Sequence, residues 1–416
     1  MSRTLRYLRL FKMLLNDRVE VDLDTIQSWG LLAVKISQMY AVRTDLLPSE
    51  KCQSLSRLFE NATPISTERF ETLVRKLAPP SLLDHLLSIH SQPLATASLG
   101  QVHRAVLDSR AEVVVKILRD DHQAEFEKDL KAVRQLAQSA LFFYPKLERV
   151  ADPIGVLEAV ERTTLNEIIL TREISGTETL KKLRDQHIKD LPHLEQLHFP
   201  AFYPDFSNEH VLVSDFIPAP TVRKLLEGNR FPYEALLTLF RIQGYFLFYH
   251  GKFHGDLHPG NIHYDPHSKS FWLLDNANVE SVPPEFARGL LYMLGALGDS
   301  DFQRAADTLM AISSTPPKSQ SAFVSAFLKL YGDFSHRPVA EISLTRQMAK
   351  TIRLAVDHGL TFPKGAFPVV KSLMYLDGMA LKCNPDARLL QDVLAFQSDI
   401  QKLLGTTDQK LSSTIP

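Results

Sequence analysis

The stretch His254-Gly255-Asp256-Leu257-His258-Pro259-Gly260-Asn261 puts an aspartate in a turn-rich loop and an asparagine five positions after it. A second aspartate, Asp275, follows Leu273-Leu274 at the end of the next predicted hairpin. Phosphoryl transfer needs such parts. One carboxylate orients or deprotonates the attacking hydroxyl or water, while an amide oxygen and another carboxylate hold magnesium against nucleotide phosphates. Asp256, Asn261 and Asp275 fill those roles in order. Two other readings compete. Pro259-Gly260 is in isolation a plain turn, and His254, His258, His263 and His267 offer a transition-metal site. Pro259-Gly260 denies the histidines the helix that would hold 254 and 258 on one face.

Upstream, Val113-Val114-Val115-Lys116 ends an apolar run on a lysine. Burying such a lysine unpaired is costly. In kinases its partners are nucleotide phosphates and a helix glutamate; a stem that merely reaches solvent is the alternative. Gln101 to Leu107 and Glu112 to Leu118, around Asp108-Ser109-Arg110, read as a hairpin. So do Ile262 to Tyr264 with Ser270 to Leu274, and Phe202 to Ile217 around Ser207-Asn208-Glu209. The pattern is helical from Asp22 to about His90, from Asp121 to Ala140, from Pro153 to Asp185, and nearly throughout after Pro220. The expected architecture is α+β with two lobes and a hinge at Pro218-Ala219-Pro220. Its parts are a helical segment 1–90, a small sheet with helices over 91–219, and a helical body 220–416.

Composition bounds the function. The 416 residues are 44% hydrophobic and 23% charged, ordinary values that exclude a disordered chain or a fibre. A net charge of -1 removes the global electrostatic case for nucleic acid. Two cysteines, Cys52 and Cys383, point to a reducing compartment. No apolar run approaches the roughly 18–20 residues of a spanning helix; Ala235 to Tyr249 is interrupted by Arg241, Gln243 and Gly244. Within residues 1–18, Tyr7, Leu8, Phe11, Leu14 and Leu15 share one helical arc, opposite Arg3, Arg6, Arg9 and Lys12. That helix either packs on its own domain or lies on a membrane surface. Its interleaved charges are unlike a secretory signal. The expected location is cytoplasmic or peripheral to a membrane.

These residues together resemble the UbiB-type atypical kinases, which support ubiquinone biosynthesis, over about Gly30 to Pro385. Lys35-Ile36-Ser37-Gln38 is similar to the family's K-x-G-Q helix, and Arg43-Thr44-Asp45-Leu46-Leu47-Pro48-Ser49-Glu50 to its R-x-D-L-x-P-x-E stretch. Pro93 to Ala105, with Ala95, Ala97 and Ser98, resembles the alanine-rich loop that replaces a glycine-rich loop in the family. Small side chains there still let backbone approach phosphates. Glu167 to Glu173 resembles the E-x-D helix.

The resemblance implies a protein-kinase-like fold whose N-terminal helical extension lies over the nucleotide cleft, with ATP and Mg2+ as cofactors. It implies that Glu173 pairs with Lys116 and Glu167 faces Lys35, and that Lys35, Lys116 and Asp275 converge on one site. Lys35 and Gln38 would restrict that site against peptides. Asp256 is the expected nucleophile-positioning group, and Asn261 and Asp275 are the metal ligands. The acceptor class implied is a lipid or quinone precursor. The chain departs from the family pattern at Ser37, at Ile169 in place of an aspartate, and at Asn276-Ala277 in place of Phe-Gly. Two alternatives stand beside this reading: a small-molecule kinase of the aminoglycoside or choline type, and a non-catalytic nucleotide-dependent scaffold.

Overall fold

Alternation along Val113 to Ile117 decides how the sheet is built. Val113, Val115 and Ile117 are fully buried, so the two-residue period turns Lys116 to the opposite face. The computed structural model describes residues 1–16, 18–41, 47–59, 64–96, 99–119, 123–143, 153–332, 344–363, 365–394 and 396–407. They divide into two units, Met1–Ile174 with Ala201–Phe216, and Ser175–Pro200 with Ile217–Pro416. The division thus falls at 216/217, and Ser175–Pro200 goes with the second unit, where the sequence places it in 91–219. The α+β class is as expected.

The sheet of the first unit has the order β1-β2-β3-β5, from β1 (Leu86–Thr96), β2 (Gly100–Leu107), β3 (Glu112–Leu118) and β5 (Val211–Asp215). β2 and β3 form the hairpin read from sequence, with Arg110 at φ 67 in the turn. The Lys116-free face packs on Phe70 and Val74 of α5 (Thr67–Leu77) and Leu82 of α6 (Pro80–His85). Leu86 to His90 corrects the helical expectation, since these residues begin β1. Register irregularities in β1 let residues 86, 89, 93 and 96 turn inward, three or four apart. That spacing mimics a helix in sequence. The second hairpin is also reduced: Phe202 makes a lone bridge to Ser214, and Pro204–Phe206 is a 3-10 turn.

A second core of the first unit joins α1 (Arg3–Leu15), α2 (Leu23–Ser28), α3 (Leu31–Ala41), α4 (Ser49–Ser56), α7 (Gln123–Phe143) and α8 (Pro153–Ile168). Tyr7, Leu10 and Leu14 of α1 are buried in it, whereas Leu8 and Leu15 are exposed, so the packed arc is rotated from the expected one. Polar anchors set that rotation. The Tyr7 hydroxyl donates to Asp129 Oδ2 at 2.9 Å, and Arg3 Nε donates to Asp129 Oδ1 at 2.9 Å. Lys51, buried, donates to the carbonyls of Met13 and Asn16 at 2.8 Å each, and so caps the C-terminus of α1.

In the second unit Tyr233–Gly244 (α11) continues as a π turn over Tyr245–Tyr249, and this apolar run is buried at the centre of the unit. It is a core helix. Among the described residues no helix is long and apolar enough to cross a membrane. Two small ladders follow. β6 (Lys252–His254) pairs antiparallel with β9 (Val279–Ser281), and β7 (Ile262–Asp265) with β8 (Ser270–Leu273). The short strand β4 (Leu197–His198) joins β8 in parallel.

Candidate functional site

The two ladders of the second unit place the site. The loop from Gly255 to Asn261 runs from β6 to β7, and Leu274 to Asn278 runs from β8 back to β9, so both segments bridge the same pair of ladders. Backbone bonds lock them: Gly255 N donates to Asn278 O at 2.8 Å, and Leu274 N donates to Asn261 O at 2.9 Å. Asn261 and Asp275 are thereby brought to one end of a hairpin. Gly255 is required because a Cβ there would lie 2.8 Å from Asn278 O.

His254 ties the loop together. Its Nδ1 accepts from Asp256 N at 3.0 Å and its Nε2 lies 3.1 Å from Leu274 O, which puts the ring proton on Nε2. Asn261 Nδ2 donates to the backbone oxygen of Asp256 at 3.1 Å and to its carboxylate Oδ2 at 3.2 Å. The other carboxylate oxygen, Oδ1, is 3.1 Å from Lys371 Nζ. Burial pushes the Asp256 carboxyl up, but the Lys371 ammonium, through its charge and its hydrogen bond, together with His254 and His258 more than offsets this and holds the pKa at about 2.

Lys371 is absent from the sequence reading. It stands on Ala366–Cys383 (α16, counting Pro284–Gly298 as α12, Phe302–Ala311 as α13, Gln320–Tyr331 as α14 and Leu344–Asp357 as α15). The same helix gives Ser372, whose hydroxyl donates to His254 O at 2.9 Å, and Tyr375, which packs edge-on against His258. The spacing 371, 372, 375 is one helical face, but no local pattern ties that face to a loop more than a hundred residues earlier.

Asp275 itself adopts the left-handed conformation, φ 57. Ala277, which stands where the family pattern has glycine, does not adopt a positive φ; the left-handed residue of this turn is the aspartate itself. Asn276 is fully buried, with its Nδ2 donating to Thr177 Oγ1 at 2.8 Å and to Leu273 O at 3.0 Å. Thr177 lies on Arg172–His187 (α9). Gly176 before it lets the Asn276 carbonyl come so close that a Cβ would sit 1.8 Å from that oxygen.

In the first unit Lys116 Nζ donates to Glu173 Oε2 at 2.9 Å, with the glutamate side chain 7% exposed. Lys35 pairs with Glu167. The two glutamates are on different helices, because α8 ends at Ile168 and α9 starts at Arg172. This corrects the single helix expected over Pro153 to Asp185, and Ile169 lies in the bend rather than on a helical face with Glu173. Leu170 N donates to Glu209 O at 3.0 Å and the Leu170 side chain is buried, which pins the break.

Gln38 is buried and its Nε2 donates to Leu58 O at 2.9 Å, so this amide holds the helical segment together. Ser37 Oγ donates to Ala33 O at 2.8 Å, one turn back on its own helix. Ala95 lies in β1 opposite Val102, not in a loop. Ala97 and Ser98, like Arg43 to Leu46, lie outside the described residues. Among the described residues no group of three or more His, Cys, Asp or Glu is arranged to hold a metal. The four histidines do not gather: His258 Nδ1 accepts from Gly260 N at 3.1 Å, and His263 Nδ1 donates to Ala219 O at 2.6 Å. Asn261 and Asp275 remain as oxygen donors suited to a hard cation.

Comparison with known proteins identifies the family. The family described as ABC1 atypical kinase-like domain matches residues 57–309, which include Lys116, Glu173, Asp256, Asn261 and Asp275 but neither Lys35 nor Lys371. A probable protein kinase UbiB of Vibrio parahaemolyticus is 27% identical over 382 residues, covering 89% of this chain and 68% of its own. The UbiB of Vibrio vulnificus is 27% identical over 393 residues, covering 92% of this chain and 70% of its own. Among solved structures, the Rv3197–erythromycin complex from Mycobacterium tuberculosis matches with a TM-score of 0.52 at 17% identity, covering 96% of this chain and 98% of that one.

Proposed function

This chain belongs to the ABC1 atypical kinase-like family, with UbiB proteins among its relatives, and from that premise we propose that it binds magnesium–ATP and transfers or hydrolyses the terminal phosphoryl group. The acceptor proposed is a lipid or quinone precursor, in support of ubiquinone or related isoprenoid-lipid metabolism. The observation that carries the reading is the loop-to-hairpin lock, in which Asn261 both braces the Asp256 carboxylate and stands beside Asp275 through the Leu274–Asn261 backbone bond.

In the second unit Asn261 and Asp275 would hold magnesium, which when bound screens the phosphate charges. Asp256 acts as a hydrogen-bond acceptor that orients the attacking hydroxyl or water. With its pKa near 2 it is a carboxylate throughout the physiological range and too weak a base to remove a proton early. Lys371 and Asn261 fix the rotamer in which it does so. In the first unit Lys116 is the cation for phosphate, kept extended by Glu173.

Calorimetric titration of ATP with and without magnesium tests the reading. Saturable binding that needs the divalent ion, and that Asn261→Ala weakens, is expected. Equal affinity in chelator sinks it.

A further inference from the structure

Inside the second unit a cavity of about 60 Å³ is walled by α11, the π turn, α12, α16 and the helices Leu389–Leu394 (α17) and Gln397–Thr407 (α18). That is several times the roughly 10–15 Å³ that one water needs. The wall is almost wholly apolar, with Leu291, Leu294, Leu376 and Leu394 among its residues. Buried water needs two to four polar partners, and a purely apolar cavity stays dry; one of about 150 Å³ takes up a molecule the size of benzene, so a chain of more than a few carbons enters this smaller one only by pushing its helices apart.

Polar side chains also reach the wall, from His193, Arg241, Gln243, Ser372, Gln397 and Asp399. Gln243 lines the cavity and is 5% exposed, and neither its Nε2 nor its Oε1 has a hydrogen-bond partner among the described residues. An unsatisfied buried amide is destabilising, and a bound group that both donates and accepts would relieve it. The charged wall residues are already neutralised, because Arg241 Nε donates to Asp399 Oδ2 at 3.2 Å. Burial pushes the His193 pKa down to about 4, so that ring is neutral as well. No charge in the wall is left to attract an ion.

We propose that this cavity binds an uncharged molecule with a slender apolar chain and one hydroxyl or amide end, the chain lying on the leucines and the polar end on Gln243. The wall is continuous with the site described above: Leu257 follows Asp256, and α16 lines the cavity with Ser372 and Leu376 while presenting Lys371 to Asp256. An occupant therefore displaces the helix that sets the Lys371–Asp256 pair.

The test titrates 1-octanol into the full chain with ¹³C-labelled leucine methyls and ¹³Cγ-labelled aspartate. Saturable shifts at Leu291, Leu294, Leu376 and Leu394, with a concerted shift of Asp256 ¹³Cγ, are expected. Leu294→Phe should weaken binding at least tenfold by filling the space, and Gln243→Leu should remove the preference for 1-octanol over octane. Shifts that do not saturate, or that fall on surface methyls alone, overturn the site in wild-type protein whether or not Leu294→Phe folds. Undiminished preference in Gln243→Leu overturns the placement of the polar end, and an unmoved Asp256 resonance overturns the coupling. Every readout is independent of nucleotide turnover.

Discussion

Lys371 Nζ stands 3.1 Å from Asp256 Oδ1, so a late helix of the second unit supplies the counter-charge for the aspartate of its loop. The familiar arrangement of such a loop gives no hint of a partner so far along the chain. The pair fixes both the ionisation and the rotamer of Asp256.

Lys371→Met should raise the Asp256 pKa from about 2 to or beyond the ordinary carboxylate value of about 3.9, because burial, the largest influence, is then opposed only by His254 and His258. The folded pKa is depressed, so the stability this pair contributes is present above the unfolded value and is lost as pH falls through the folded one. Wild-type protein should lose that contribution between about pH 4 and pH 2, and Lys371→Met should lose less across the same window. Carboxyl NMR titration and melting temperature against pH check the two halves separately.

Asp275 pairs a left-handed backbone with a proposed metal-binding carboxylate, and two substitutions part these roles. Asn tolerates φ > 0, so Asp275→Asn should stay within about 0.5 kcal/mol of wild type while losing magnesium-dependent ATP affinity by on the order of 100-fold. Asp275→Val should lower unfolding free energy by about 1–2 kcal/mol, because a β-branched residue resists that conformation. Denaturant unfolding and calorimetry separate them.

At Gly176 the constraint is contact rather than φ. Gly176→Ala sets a methyl 1.8 Å from the Asn276 carbonyl, so either α9 or the segment after Asp275 must move. A loss of about 3 kcal/mol is expected by urea unfolding, at the upper end for an inserted methyl because the obstacle is backbone.

Lys51 caps α1 from within the first unit. Lys51→Met keeps the stem volume and removes the donors, and the unmatched carbonyls of Met13 and Asn16 should cost about 1–2 kcal/mol. Hydrogen exchange should quicken in α1 ahead of β2 and β3. Uniform exchange across the unit would show that the cap has no local role.

The strands around Lys116 were readable because alternation over Val113 to Ile117 and the turn at Asp108 to Arg110 act within a few residues. The loop from His254 to Asn261 was readable for the same reason, its turn residues and its polar residues being contiguous. Leu86 to His90 was not, because irregular register let an edge strand turn half-buried residues inward at helical spacing. Nor was the break at Ile169, where local helix propensity continues and a distant carbonyl, that of Glu209, captures Leu170 N instead.

By itself the sequence named the groups proposed for the chemistry and their order along the chain: a strand lysine and a helix glutamate in the first unit, then aspartate, asparagine and aspartate in the second. Tertiary structure alone decided that Lys371 neutralises Asp256, that Ser372 and Tyr375 brace its loop, that Gln38 is held by Leu58, and that Gly176 must have no side chain. Propensity, alternation and turn chemistry act over a few neighbouring residues. A close approach between elements far apart in the chain is set by how whole faces pack, and no short window of sequence records it.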